Sequence, residues 1–278
     1  MKRQNLILMF DGMNSPRQIA LSGGSWEALL PLAHLLDPDL KKPARSTDLD
    51  PASTRFDAVF DAAYYTKSVV IGPGNFSPYA QFRLFAYDDV SGPPKLDTGV
   101  RRVAGPAHVG WGDDDFWLRT DHLGAYIICT FPDVVLARKW SVEIDDQTNP
   151  DGYLDLGCLF TPLGWQPTMN YEYGATFGLK NNTLVSSTLS GGKKYWQRRN
   201  PRILTVNFPV LPEDEAFGQG FRVQYTVGFG TRLFVIPDPD DAATIHLRSF
   251  FGTVSEPDPL TQAYFDRAGL TFRIEEII

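Results

Sequence analysis

Within residues 139–146, polar and apolar side chains alternate without a break from Lys139 to Asp145. Trp140, Val142 and Ile144 fall on one side, and Lys139, Ser141, Glu143 and Asp145 on the other. A period of two is the period of a pleated strand with one buried face, and a helix cannot use it. The pattern recurs over residues 81–87, where Phe82, Leu84 and Ala86 share a face and Phe85 and Tyr87 take the other. It recurs in part over residues 54–61, and residues 68–71, 125–131 and 153–160 are short apolar runs of strand length. Gly72-Pro73-Gly74-Asn75 and Asn149-Pro150-Asp151-Gly152 punctuate them with turn residues.

The rest of the chain extends the same reading. Aromatic residues make up 13% of it, with 24 Gly and 21 Pro, a mixture that favours many short strands over long helices. Residues 26–36 are apolar, but Pro31 limits them to an extended stretch with one helical turn. Residues 88–115 lose periodicity and form a long excursion. Further strands are predicted over residues 203–208, 232–237, 245–251 and 270–274, which makes His246 a side chain on a sheet face. One short helix is predicted over residues 213–223. Glu213, Asp214 and Glu215 suit its first turn, and Phe217 and Phe221 lie four apart, although Gly218 and Gly220 oppose it.

Length and charge bound the function. A chain of 278 residues holds one large β domain or two ordinary ones, and its character shifts near Pro162–Pro167. We therefore place a first strand in residues 1–13, a sandwich in 14–162 and a second domain in 163–278. The net charge of −7, with only short basic clusters at Lys193-Lys194 and Arg198-Arg199, argues against gripping nucleic acid through its phosphates. The apolar run Leu6–Phe10 ends at Asp11-Gly12, which is short for a signal peptide and suits a first strand. No stretch approaches the roughly 20 apolar residues of a membrane span, so no membrane insertion is expected. Cys129 and Cys158 sit in apolar runs and read as buried thiols.

Chemistry is sparse. There is no nucleophile elbow, no zinc-type His/Glu motif and no phosphate-binding loop. His34, His108, His122 and His246 are far apart in sequence. No catalytic residue, metal or cofactor is predicted. The one set with binding chemistry is Trp111, Asp113, Asp114, Asp115 and Trp117, where indole faces and carboxylates could hold a sugar. A solvated loop tip, a calcium site and, least favoured, a glycosidase are the alternatives for those aspartates.

Several segments together resemble a known family. Residues 42–48, Phe56, residues 69–71, Asn75-Phe76-Ser77 and the strand holding Arg83 resemble the start of a discoidin-like (galactose-binding-like) jelly-roll β-sandwich. Residues 137–146, Asn149–Tyr153 and Leu156-Gly157 resemble its closing strands. The order continues through Trp165-Gln166-Pro167 and Tyr173-Gly174 to residues 234–239. As a whole it resembles tail structural proteins of tailed bacteriophages and gene transfer particles, the distal tail protein among them. That resemblance implies a fold that is all-β, a sandwich plus a tail-tube-like β-barrel. It implies a virion protein, assembled in the host cytoplasm. The chain would form a ring with copies of itself, commonly six-fold, joined to tail tube and baseplate hub proteins. A host surface glycan is the further partner that the sandwich implies. The chain departs from the usual distal tail order, because the sandwich precedes or interrupts the barrel.

Overall fold

The computed structural model describes residues 4–11, 17–103, 125–187, 190–227, 230–242 and 244–277. The fold is all-β, as the alternation predicts. It divides into two compact units. One comprises Met13–Gly164 with Asp241–Leu247, and the other Met1–Gly12, Trp165–Asp240 and Arg248–Ile278.

The first unit is a nine-stranded antiparallel sheet built around two very long strands, Phe56–Gly74 and Ala125–Asp145. The sequence suggests four short strands here, but the structure joins 54–61 to 68–71 and 125–131 to 139–146. The links pair as well, from Tyr64 with Ala137 to Thr66 with Val135, although the exposed stretches beside them, Asp61–Ala63 and Pro132–Val134, hide the strand pattern. Register shifts between Val59 and Tyr64 and between Thr66 and Ser68 change which side chains face inward. Phe56, Ala58 and Phe60 are buried before the bend, and Val69 and Ile71 after it. Both sets join one core with Ile127, Cys129, Phe131, Trp140, Val142 and Ile144. The two long strands thus bend until both halves of one sheet cover the same core, which makes a sandwich.

Across this sheet, Gln81–Tyr87 pairs with Ala125–Asp145 on one side and with the short strands Leu96–Asp97 and Arg101–Arg102 on the other. Ile19–Ser22 and Leu159–Phe160 pair with Phe56–Gly74. Asp155–Leu156 joins it to Ala44–Arg45. Both cysteines are buried and neither is in a disulfide. Burial pushes the Cys129 thiol up to about 11, which leaves it protonated and inert.

The second unit is a seven-stranded sheet. Its order is Ile7–Phe10, Leu233–Ile236, Phe250–Pro257, Arg267–Glu276, Arg202–Pro212 and Thr176–Leu179, with Thr261–Tyr264 beside Arg267–Glu276. Its edge strands do not pair with each other among the described residues, so it is an open half-barrel. Its core gathers Leu8, Trp165, Val206, Phe208, Phe250, Leu270 and Phe272.

The helical path is longer than the sequence suggests. It runs through Glu213–Glu215, a π turn at Ala216–Gly220 and Phe221–Val227. Phe217 and Phe221, four apart, share its outer side and are 49% and 48% exposed. The buried face is Ala216, Gly220, Val223 and Val227. Packing decides this, because a Cβ on Gly220 would stand 2.5 Å from Leu270 Cδ2. The residue that opposed the helix by propensity is the one that lets it dock. His246 is also not on a strand. It lies in the helical turn Ile245–Arg248, and the strand starts only at Phe250. Asp241 accepts from the Thr244 backbone N–H at 3.2 Å and from its hydroxyl, and that cap turns the chain helical.

Candidate functional site

The inward side chains of the alternating strands make the core, so the outward ones are left to make a surface. On the first unit, three neighbouring strands present them in rows. Asp145 stands opposite Gln81, Glu143 opposite Arg83, Ser141 opposite both Asp57 and Phe85, and Lys139 opposite both Val59 and Tyr87. Arg55 precedes Phe56–Gly74 by one residue and shares its surroundings with Glu143. It is set there by the short helix Pro51–Thr54, capped by Asp50, whose side chain accepts from Ala52 N–H at 2.8 Å. Thr54 then donates its hydroxyl to the Ile144 carbonyl at 2.6 Å, fastening the turn to the sheet.

Two adjacent cavities open on this face. One, of about 330 Å³, is lined by Arg55, Gln81, Arg83, Val100, Glu143 and Asp145 among others. The second, of about 420 Å³, is lined by Gly23, Arg55, Asp57, Phe85, Tyr87, Lys139, Ser141 and Glu143 among others. Arg55 and Glu143 belong to both.

The charged groups fall into two classes. Some are already engaged. Arg83 clasps Asp97 with two hydrogen bonds and lies over the Phe85 ring at 4.7 Å. Asp57 accepts from Ser141 Oγ at 2.5 Å and pairs with Lys139 Nζ at 2.8 Å. Lys139 also sits 5.0 Å from the Tyr87 ring centre. These bonds fix the aromatic rings and strand edges in place. The others are free to act: the side chains of Arg55, Gln81 and Glu143 form no hydrogen bond or ion pair among the described residues. Glu143 feels Arg83 only through its field.

The end of the face is held by a polar knot. The buried Asp146 carboxylate accepts from the Ser77 backbone N–H at 2.9 Å, from the Ser77 hydroxyl and from Asn149 Nδ2 at 3.1 Å. Asn149 in turn donates to the Asn75 carbonyl at 2.7 Å. Burial holds the Asp146 carboxyl above its usual range despite those donors. The knot ties the turn after Asp145 to the loop leading into Gln81, which fixes the two strands that carry most of the face.

The sequence-derived set Trp111, Asp113, Asp114, Asp115 and Trp117 lies outside the described residues. The surface assembled here is a different one. Its residues stand in plain view in the alternating segments, but only as the polar halves of strands. Among the described residues no group of three His, Cys, Asp or Glu side chains could hold a metal ion. No helix among them is long and apolar enough to cross a membrane.

No model of a protein family matches the sequence, and no curated protein matches it. Solved structures do. One is the CBM32-1 module from a family 31 glycoside hydrolase of Clostridium perfringens, with TM-score 0.36 and 15% identity over 54% of this chain and 97% of that one. Another is the family 32 carbohydrate-binding module of C. perfringens NanJ in complex with galactose, with TM-score 0.35 and 12% identity over 51% and 92%. A third is GH31 CBM32-2 bound to GalNAc, with TM-score 0.38 and 12% identity over 53% and 99%.

Proposed function

We propose that the sandwich unit is a carbohydrate-binding module, with its outer sheet face as the binding surface. One observation carries this reading: Arg55, Gln81 and Glu143 stand unpaired beside two fixed aromatic rings on an open face. A sugar offers hydroxyls that donate and accept at once. Guanidinium, amide and carboxylate together answer both roles, and ring faces cover the apolar C–H patches of a pyranose. Binding without turnover is the reading proposed for this face. A glycan array probed with the full chain, followed by calorimetry on each hit, tests it. Binding should weaken at least tenfold in Arg55→Ala and in Glu143→Ala. Absence of binding to any glycan at millimolar concentration would overturn it.

A second reading rests on the half-barrel unit. Its two-stranded hairpin, Leu184–Ser187 with Lys193–Trp196, is exposed at all eight positions, and it carries Leu184, Val185, Tyr195 and Trp196. Lys193, Lys194 and Arg198 make that hairpin basic, while Glu213 and Asp214 lie beside the exposed Phe217, Phe221 and Tyr225 of the helix. A basic apolar surface and an acidic apolar surface on one chain suit head-to-tail contact between copies, which closes into a ring. Together with the resemblance of the sequence to tail proteins, self-association favours a building block of a phage-type tail tip, with neighbours in the tail tube and baseplate. Sedimentation of the full chain should then show oligomers that Trp196→Asp dissolves. A monomer at every concentration up to solubility would overturn it.

A further inference from the structure

The two cavities differ in chemistry but not in support. Both lie over the same pair of strands, Gln81–Tyr87 and Ala125–Asp145, on successive rows of outward side chains. From the Asp145 row to the Lys139 row is six residues, about 20 Å of antiparallel strand. Alternate residues stand roughly 7 Å apart along a strand, so one sugar ring can touch about two adjacent rows. The face is therefore longer than a single sugar needs.

Its two ends are furnished differently. At one end Gln81 and Asp145 offer an amide and a carboxylate, walled by Pro51, Ala52 and Val100. At the other end Phe85, Tyr87 and Ser141 offer rings and a hydroxyl, with the Gly23 backbone at the margin. Gly23 has φ +94°, a conformation that side chains rarely adopt, so its turn keeps that margin bare. Arg55 and Glu143 stand where the two meet.

Charge restricts the ligand further. Arg83 is neutralised by Asp97 and Lys139 by Asp57. That leaves Arg55 against Glu143 and Asp145, a small negative excess that repels acidic sugars.

We propose that the face is one continuous groove with two subsites, and that it binds an internal stretch of a neutral, linear oligosaccharide. One sugar unit fills each cavity, and Arg55 and Glu143 hydrogen-bond to both units around their linkage. This rests on the carbohydrate-binding reading and adds to it the length and charge of the ligand.

Calorimetry with the full chain tests it, using neutral gluco-, galacto- and N-acetylglucosamine oligosaccharides of increasing length from a single unit, with polygalacturonate fragments as the acidic control. For the sugar that binds, affinity should rise at least tenfold from the single unit to the short oligomers and then level off, with the acidic series weaker throughout. Gln81→Ala and Tyr87→Ala, at opposite ends of the groove, should each remove most of that gain. Monosaccharide affinity equal to oligosaccharide affinity would overturn the two-subsite groove while leaving carbohydrate binding intact. Failure of every sugar to bind would overturn both.

Discussion

Arg83 and Asp97 meet across the edge of the sandwich sheet in a two-pronged clasp, with Nε to Oδ1 at 2.9 Å and Nη2 to Oδ2 at 2.5 Å. The clasp does two things at once. It holds the Arg83 guanidinium over the Phe85 ring, and it ties the short strand Leu96–Asp97 to the groove. Paired forks of this kind are geometrically specific.

The clasp has a titration signature. The Arg83 hydrogen bonds, and then the Gly99 N–H, hold the Asp97 carboxyl down at about 2. The folded value lies below the unfolded one of about 3.9. The contribution to stability is therefore complete above about pH 4 and is lost as pH falls through 2. Carbon-13 NMR of the side-chain carboxyls should find Asp97 still ionised at pH 3. Titration near 4 would mean that the clasp does not persist in solution.

The two faces of residues 139–145 should respond oppositely to truncation. Trp140 is fully buried and stacks on Phe131 with ring centres 5.6 Å apart. Trp140→Ala should cost about 3–5 kcal/mol, through lost burial and the cavity left behind. Ser141 faces outward and makes one hydrogen bond to Asp57, so Ser141→Ala should cost only about 0.5–1.5 kcal/mol. Urea unfolding of the two variants checks the contrast, and equal costs would refute the assigned faces.

That contrast also shows what the sequence could reveal. Alternation in 81–87 and 139–145 gives both the core and the outward rows, because a period of two allows no other arrangement of one-sided burial. It cannot give register. Nothing local says that Ser141 stands opposite both Asp57 and Phe85, since that pairing is fixed by bends at distant bulges and by the Asp146 knot. Arg55 and Glu143 consequently read as ordinary exposed charges until the strands are laid side by side. Adjacency in sequence points instead to Trp111 and Asp113–Asp115, which lie outside the described residues. The helical turn at residues 245–248, where a strand is expected, and the outward side of Phe217 share one cause. Short apolar runs fit either period, and a side-chain cap or one glycine at a packing contact decides between them.

A buried ion pair in the half-barrel unit gives a second stability prediction. Arg202 Nη2 lies 2.7 Å from Glu276 Oε1, with their side chains 2% and 1% exposed. Glu276 also accepts from the Arg202 backbone N–H at 2.9 Å and from Arg199 at 3.0 Å. Glu276→Ala strands a guanidinium charge in the interior and should cost about 3–5 kcal/mol. Replacing both partners, as Arg202→Met with Glu276→Leu, removes the charge with its partner and should cost much less than the sum of the single changes. A double variant as unstable as that sum would show that the two charges are not coupled, and would overturn the pairing.

His246 should make the sandwich unit sensitive to mild acid. It is buried within the segment Asp241–Leu247, which folds with that unit, and its ring hydrogen-bonds to the Val103 carbonyl. Burial disfavours the imidazolium and lowers its pKa below the ordinary 6.5, while the Val103 bond opposes that only in part. The unfolded chain therefore binds the proton more readily than the folded one. Stability from this group is full above about pH 6.5 and declines as pH falls toward the folded value. Thermal unfolding between pH 8 and pH 5 should show a falling midpoint in the unaltered chain. His246→Gln, which keeps a donor for Val103 but cannot take up the proton, should flatten that part of the profile. An unchanged slope in the variant would place the acid sensitivity elsewhere.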